Sequence, residues 1–260
     1  MNIDILLNKQ LLYALLTSAF VGAVAGYIGS LMVTKRMSLM GGALGHLTMP
    51  GIAFAIAYGF DVSLGALVIL VFGVFAIWAI ERKTKLPTES VTAIVFATSL
   101  AIALLFLNHE EIDIALLGDI SKITLLITVA TVLLSIAIYI ITRKILPAIT
   151  LSSISKDLAS VQGINVALYK FIYLSCIALV VALGVRIVGG LMTAALVAIP
   201  AATSKNISKN LAQYTFLSLL FGATSCTLGV IVAHITQLPA GPMIILASAC
   251  FFVVSLFFKK

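Results

Sequence analysis

Nine stretches of this chain stay apolar for about as long as a bilayer's hydrocarbon core is thick, and short polar connections separate them. Hydropathy places them at Leu11–Val33, Leu39–Gly59, Val62–Ile80, Ser90–Leu107, Ile123–Ile141, Val166–Gly184, Ile187–Thr203, Leu211–Thr236 and Gly241–Phe258. The seventh is short and also fits a half-buried or re-entrant helix, which leaves eight spans as the competing count. The first is too long for the apolar core of a signal peptide and has no basic segment before it, so it is retained as a span. The expected fold is an all-α polytopic membrane protein, with residues 1–260 forming a single transmembrane domain.

Composition agrees with the pattern. The chain is 62% hydrophobic and 10% charged, with a mean hydropathy of +1.22, too apolar for an ordinary water-soluble globule. The net charge of +7 does not point to nucleic acid, because the basic residues sit in small clusters between apolar runs and act as topology signals. If Lys35 and Arg36 are cytoplasmic, strict alternation puts thirteen of the sixteen Lys and Arg residues on that side. Lys9, Lys122 and Arg186 are the exceptions. The amino terminus is then outside, the carboxyl terminus cytoplasmic and the number of spans odd. Cys176, Cys226 and Cys250 lie inside apolar runs without zinc-site spacing, and read as small core hydrophobes.

The longest cytoplasmic connection is expected from Arg143 to Asn165. Within it Ser155 is suited to cap a short helix, Leu158 and Val161 share a face, and Gly163 is a natural stop. Two readings fit the pattern: a helix resting on lipid headgroups, or a docking helix for a cytoplasmic partner.

Polar chemistry inside the spans is sparse. All nine carboxylates fall in loops or at span ends, which argues against a proton- or sodium-coupled carrier. Neither a G-x-x-x-x-G-K-[ST] phosphate loop nor an H-E-x-x-H helix occurs, so the chain is not expected to be an enzyme and any ATP is hydrolysed by another chain. The second span is the exception, running Met40-Gly41-Gly42-Ala43-Leu44-Gly45-His46-Leu47-Thr48-Met49-Pro50-Gly51. An imidazole near the middle of a span must face protein or a polar cavity. His46 therefore serves either a pathway or ligand role, or an interhelical hydrogen bond. Gly41 and Gly45, like Gly22 and Gly26 in the first span, form small-xxx-small pairs that allow close helix approach. Pro50 should kink the helix just beyond His46. His109 lies in an acidic outer connection with Glu110, Glu111 and Asp113, where a solvated surface competes with a role in concentrating cations. His234 reads as an interfacial residue.

Several pieces in order extend this picture. Met37-Ser38-Leu39-Met40-Gly41 leads into Ala43-Leu44-Gly45-His46 and Pro50-Gly51, followed by Leu117-Gly118-Asp119-Ile120. Asp157-Leu158-Ala159 through Gly163-Ile164-Asn165-Val166 come next, then Val188-Gly189-Gly190-Leu191 through Ile199-Pro200-Ala201-Ala202-Thr203 and Leu238-Pro239-Ala240-Gly241-Pro242. In these the chain resembles the membrane permeases of ATP-binding-cassette importers for zinc, manganese and iron(II), most closely the zinc type, over nearly its whole length. The resemblance implies a homodimer or heterodimer of permeases, a cytoplasmic ATPase dimer, an extracytoplasmic metal-binding protein and a place in the bacterial cytoplasmic (inner) membrane. It implies that residues 154–163 hold the coupling helix, with Asp157, Leu158, Val161 and Gly163 meeting the ATPase. It also implies no bound cofactor, the divalent metal being the transported substrate, with zinc first and manganese next.

The family's second span carries an aspartate four residues before its histidine. His46 matches the histidine, but Gly42 stands where the acid belongs. A partner permease supplies the acid, the substrate differs, or transit uses His46 pairs across a dimer axis with Thr48 or Met49 nearby; the sequence is compatible with all three. A metal-chelate permease, or a carrier or channel independent of an ATPase, are the alternative functions.

Overall fold

The computed structural model describes residues 9–35, 37, 39–60, 62–84, 86–106, 120, 123–190 and 192–258. The acidic connection with His109, the segment 117–119, and Arg36, Ser38 and Leu191 lie outside the described residues. Every regular element among the described residues is a helix: α1 (Lys9–Thr34), α2 (Leu39–Leu47), α3 (Met49–Tyr58), α4 (Val62–Thr84), α5 (Thr88–Phe106), α6 (Leu125–Ile154), α7 (Lys156–Val161), α8 (Val166–Val188), α9 (Thr193–Ile207), α10 (Leu211–Thr236) and α11 (Ala240–Leu256). Five of them, α1, α4, α6, α8 and α10, are long and apolar enough to cross a membrane, and α5 and α11 are shorter apolar helices.

Three expected boundaries are corrected. The second span is two helices, because Pro50 has no N–H to donate and the ladder cannot run through it. The Thr48 N–H instead closes a tight turn on the Gly45 carbonyl at 3.2 Å, and the next helix begins with Ile52 N–H on the Thr48 carbonyl at 3.0 Å. The Leu47 carbonyl at this break accepts from Ser99 Oγ of α5 at 3.3 Å, which matters because lipid offers no water to an exposed backbone oxygen.

The fifth span does not stop at Ile141. It continues as α6 through Arg143, Lys144 and an internal Pro147 to Ile154, so the first half of the expected Arg143–Asn165 connection is helix. Long basic side chains tolerate such an extension because their charged ends reach back to water. The seventh span does not begin at Ile187: Ile187 and Val188 complete α8, Gly189 breaks it at φ +81°, and α9 starts at Thr193.

α1 is the central helix, packing most extensively on α10 and also against α9, α6 and α8. Its glycines account for the closest contact. A Cβ on Gly22 would run into the Gly222 carbonyl of α10, and one on Gly26 would run into the Ser218 carbonyl. On another side, Thr17 Oγ1 donates to Thr128 Oγ1 of α6 at 3.1 Å, and the Tyr27 and Tyr139 rings meet edge to face at 4.8 Å. The large apolar side chains left over, among them Phe72, Phe75, Leu126, Leu133 and Phe216, point outward, as expected of surfaces solvated by lipid.

At one end of the bundle polar groups tie several helices together. Lys35, just beyond α1, donates from Nζ to the Ile149 carbonyl of α6 at 3.1 Å. Lys170, near the start of α8, pairs with Glu81 at the end of α4 and donates to Thr88 Oγ1, the first residue of α5, at 2.7 Å. α7 lies at this same end, between α6 and α8.

Because the α1–α10 contact has no space for a side chain, Gly222→Val should be overpacked, at a cost of about 1–3 kcal/mol or more. The detergent-purified variant is expected to melt well below the parent. An unchanged melting temperature would show that the two helices have room to move apart.

Candidate functional site

A cavity of about 270 Å³ lies between α2 and α5, lined by Met40, Ala43 and His46 from α2 and by Glu89, Thr92, Ala93 and Phe96 from α5. The spacing explains the lining. Positions 40, 43 and 46 recur every three residues, and 89, 92, 93 and 96 follow the i, i+3, i+4, i+7 rule, so each set occupies one helix face.

Small residues fix the orientation of α2. A Cβ on Gly45 would collide with Thr193 Oγ1 and the Gly190 carbonyl at the start of α9, and Gly41 lies over Ala194 and Val197 of that helix. Leu47 fills the place of a side chain at Gly73 of α4. With those faces occupied, His46 turns toward α5, where its ring centroid lies 5.4 Å from that of Phe96. It is half-buried, and its buried Nδ1 has no hydrogen-bond partner among the described residues.

The other residues singled out in the second span sit elsewhere. Gly42 does not line the cavity, and a Cβ there would approach the Ala194 Cβ at 3.1 Å. Thr48 is fully buried with its hydroxyl donated to the Gly45 carbonyl, and Met49 is buried at the start of α3. The structure thus brings His46 together with Glu89 and Thr92, and does not bring Thr48 or Met49 to the same cavity. Glu89 is not among the residues the sequence singles out, because it falls in the connection just before the fourth expected span at Ser90. Its register with Thr92, Ala93 and Phe96 was the available signal.

Imidazole nitrogen and carboxylate oxygen are the donor types that zinc accepts, and they also serve other divalent first-row metals. Among the described residues no three His, Cys, Asp or Glu side chains gather closely enough to hold a metal ion. A cavity with so few donors suits an ion that stops and leaves, since passage requires binding that is weak enough to reverse.

The α7 region is a second, separate feature. Ser155 Oγ caps the helix by accepting from Leu158 N–H at 3.2 Å. At its other end Ile164 N–H reaches the Ala159 carbonyl and Gly163 N–H the Ser160 carbonyl, both at 3.0 Å, with Gly163 at φ +73°. This is the paired-bond stop that glycine makes at helix ends. Asn165 then caps α8 by accepting from Leu168 N–H at 3.1 Å. Ala159 is fully buried, whereas Leu158 is 56% and Val161 85% exposed, so the short helix is anchored on one side and presents apolar side chains on the other. Asp157 is also exposed.

Elsewhere, Cys176 and Cys226 are buried and Cys250 is exposed, all three as free thiols, so Cys250 is not a core residue. His234 is half-buried in the last turn of α10, where its carbonyl accepts from Gln237 Nε2 at 2.7 Å. Beyond α1, burial and the nearby Lys170 lower the Lys35 ammonium to about 8.

The chain matches the family model described as the ABC 3 transport family over residues 8–259. It is 26% identical over 252 residues to the manganese transport system membrane protein MntC of Listeria monocytogenes, covering 95% of this chain and 90% of that one. It is 28% identical over 256 residues to the zinc transport system membrane protein TroC of Treponema pallidum, covering 93% and 86%. Among solved structures, PsaBC from Streptococcus pneumoniae in complex with Fab superposes with a TM-score of 0.83 at 28% identity, covering 99% of this chain and 95% of that chain.

Gly42→Ala should fold with little change in melting temperature, because about 1 kcal/mol of helix propensity offsets a slight displacement of Ala194. Gly45→Ala, which meets backbone, should melt markedly lower, and equal melting temperatures would contradict the packing described. For Lys35, the unfolded chain holds its proton up to the ordinary value of 10.5, whereas the folded chain releases it near 8. Lys35 therefore contributes a rise in stability with pH between those values. Denaturant unfolding across that window should show a slope that Lys35→Met makes less positive; identical slopes would remove the assignment.

Proposed function

The chain belongs to the ABC 3 transport family, and from that premise we propose that it is the membrane permease subunit of an ATP-binding-cassette importer that passes a divalent metal ion, zinc or manganese, into the cell. The observation that carries this reading is the similarity to metal-transport membrane proteins along almost the full length of both chains. The names of those relatives supply both metals. The half-buried imidazole of His46, turned into a cavity and with its Nδ1 lacking a partner among the described residues, gives the ion a place to stop.

On this reading the subunit is non-catalytic and a separate ATPase dimer supplies the energy, in keeping with a sequence that has no phosphate loop. α7 is the coupling helix, with exposed Leu158 and Val161 as its apolar contacts and Asp157 beside them. A second permease copy completes the pathway, and an extracytoplasmic metal-binding protein delivers the ion. α2 with α3, and α9, complete nine spans. The amino terminus lies outside and the carboxyl terminus inside, because Lys170, held by Glu81 and Thr88, shares an end with α7 and basic residues favour the cytoplasmic side. The membrane is the bacterial cytoplasmic one, as bacterial relatives of this kind require.

His46→Ala should lower metal uptake by cells expressing the whole importer while leaving the amount of assembled permease in the membrane unchanged. Uptake equal to the parent would reduce His46 to a packing residue. Leu158→Asp combined with Val161→Asp should abolish co-purification of the ATPase and transport-coupled hydrolysis. Intact co-purification would remove α7 as the docking element.

A further inference from the structure

The cavity beside His46 has a second polar end. Glu89 lies in the first turn of α5, seven residues before Phe96, and so about 10 Å along the helix from the ring that His46 faces. It is exposed where His46 is half-buried. The cavity therefore runs from an enclosed imidazole to an open carboxylate. That open end is the one that carries α7, because the preceding residue, Thr88, is hydrogen-bonded to Lys170 near the start of α8.

A carboxylate among the basic residues of this end would ordinarily be neutralised. Lys170, which reaches Thr88, is committed to Glu81. Arg82 lies over the Trp78 ring, 5.0 Å from its centroid. Glu89 forms no ion pair among the described residues, and it lines the cavity.

Resting on the permease reading above, we propose that Glu89 is a second cation station, which takes the divalent ion after His46 and passes it to the side that carries α7. The second-span acid is absent at Gly42, and a carboxylate is instead offered one step further along the route, from a different helix. Separation along α5 makes Glu89 a successive ligand and not a joint one with His46. This keeps each stop weak enough to release the ion.

An acidic residue in a first turn also stabilises its helix by interacting with the amino-terminal end of the dipole, so the test must separate the two roles. Manganese(II) and zinc(II) uptake is measured in cells carrying the full importer with the wild-type chain, Glu89→Gln, Glu89→Asp, and Glu89→Gln combined with Ser90→Glu. The combined variant restores a first-turn charge one residue away, off the cavity face. Glu89→Gln should reduce the maximal uptake rate by about tenfold or more, Glu89→Asp should be intermediate, and the relocated charge should give no recovery. Uptake by Glu89→Gln at the wild-type rate, or its recovery by Ser90→Glu, overturns the assignment. Should Glu89→Gln fail to assemble, Glu89→Asp decides, because a wild-type rate with the shortened side chain likewise overturns it. A wild-type chain that imports neither ion defeats the permease reading itself, whereas wild-type uptake that is indifferent to Glu89 defeats only this inference.

Discussion

Backbone set against backbone is the constraint on which the rest of this molecule depends. In lipid the apolar effect gives helices little reason to associate, so close packing and internal hydrogen bonds must hold the bundle together. α1 lies directly on α10 because Gly22, Gly26 and Gly222 carry no side chains. α2 lies directly on the start of α9 because Gly45 has none. Once α2 is held by Gly45 on one side and by Leu47 at Gly73 on another, its remaining face can only look at α5. The position of His46 follows from glycines that never touch the cavity.

The same environment explains how a broken helix survives at that depth. Pro50 removes a donor, and the carbonyls at the break need partners that lipid cannot provide. The Thr48 hydroxyl serves Gly45 and the Ser99 hydroxyl serves Leu47. Ser99 belongs to α5, the helix that also supplies Glu89, Thr92 and Phe96. One interface thus satisfies the break and frames the cavity, and a movement of α5 relative to α2 would alter both. At the far end Lys170 links α8, which follows α7, to the first residue of α5. That gives a short covalent and hydrogen-bonded route from the proposed docking helix to the mouth of the cavity.

Much of the fold was legible in the sequence because hydropathy depends on composition over a window. α10 was anticipated to the residue, and α1, α5 and α11 to within two. Ser155 and Gly163 were recognisable because capping is local chemistry. The failures came where two local rules compete. α6 runs past Arg143 and Lys144 because charged residues can end a hydrophobic run without ending a helix. α8 takes Ile187 and Val188 because Gly189, and not the preceding Gly184, has the left-handed backbone that stops it. His46 stood out as a lone imidazole in an apolar run. Glu89 did not, because its importance comes from a neighbouring helix more than forty residues away in the chain, and no local pattern records that neighbour.

On the proposed reading this subunit gives a divalent metal its way across the membrane. The most direct measurement compares uptake of isotopically labelled zinc, manganese and iron(II) in cells with and without the chain, under chelation strong enough to silence low-affinity entry. Uptake of zinc or manganese should collapse when the chain is removed and return when it is restored. Uptake of all three metals that is unaffected by its removal would contradict it.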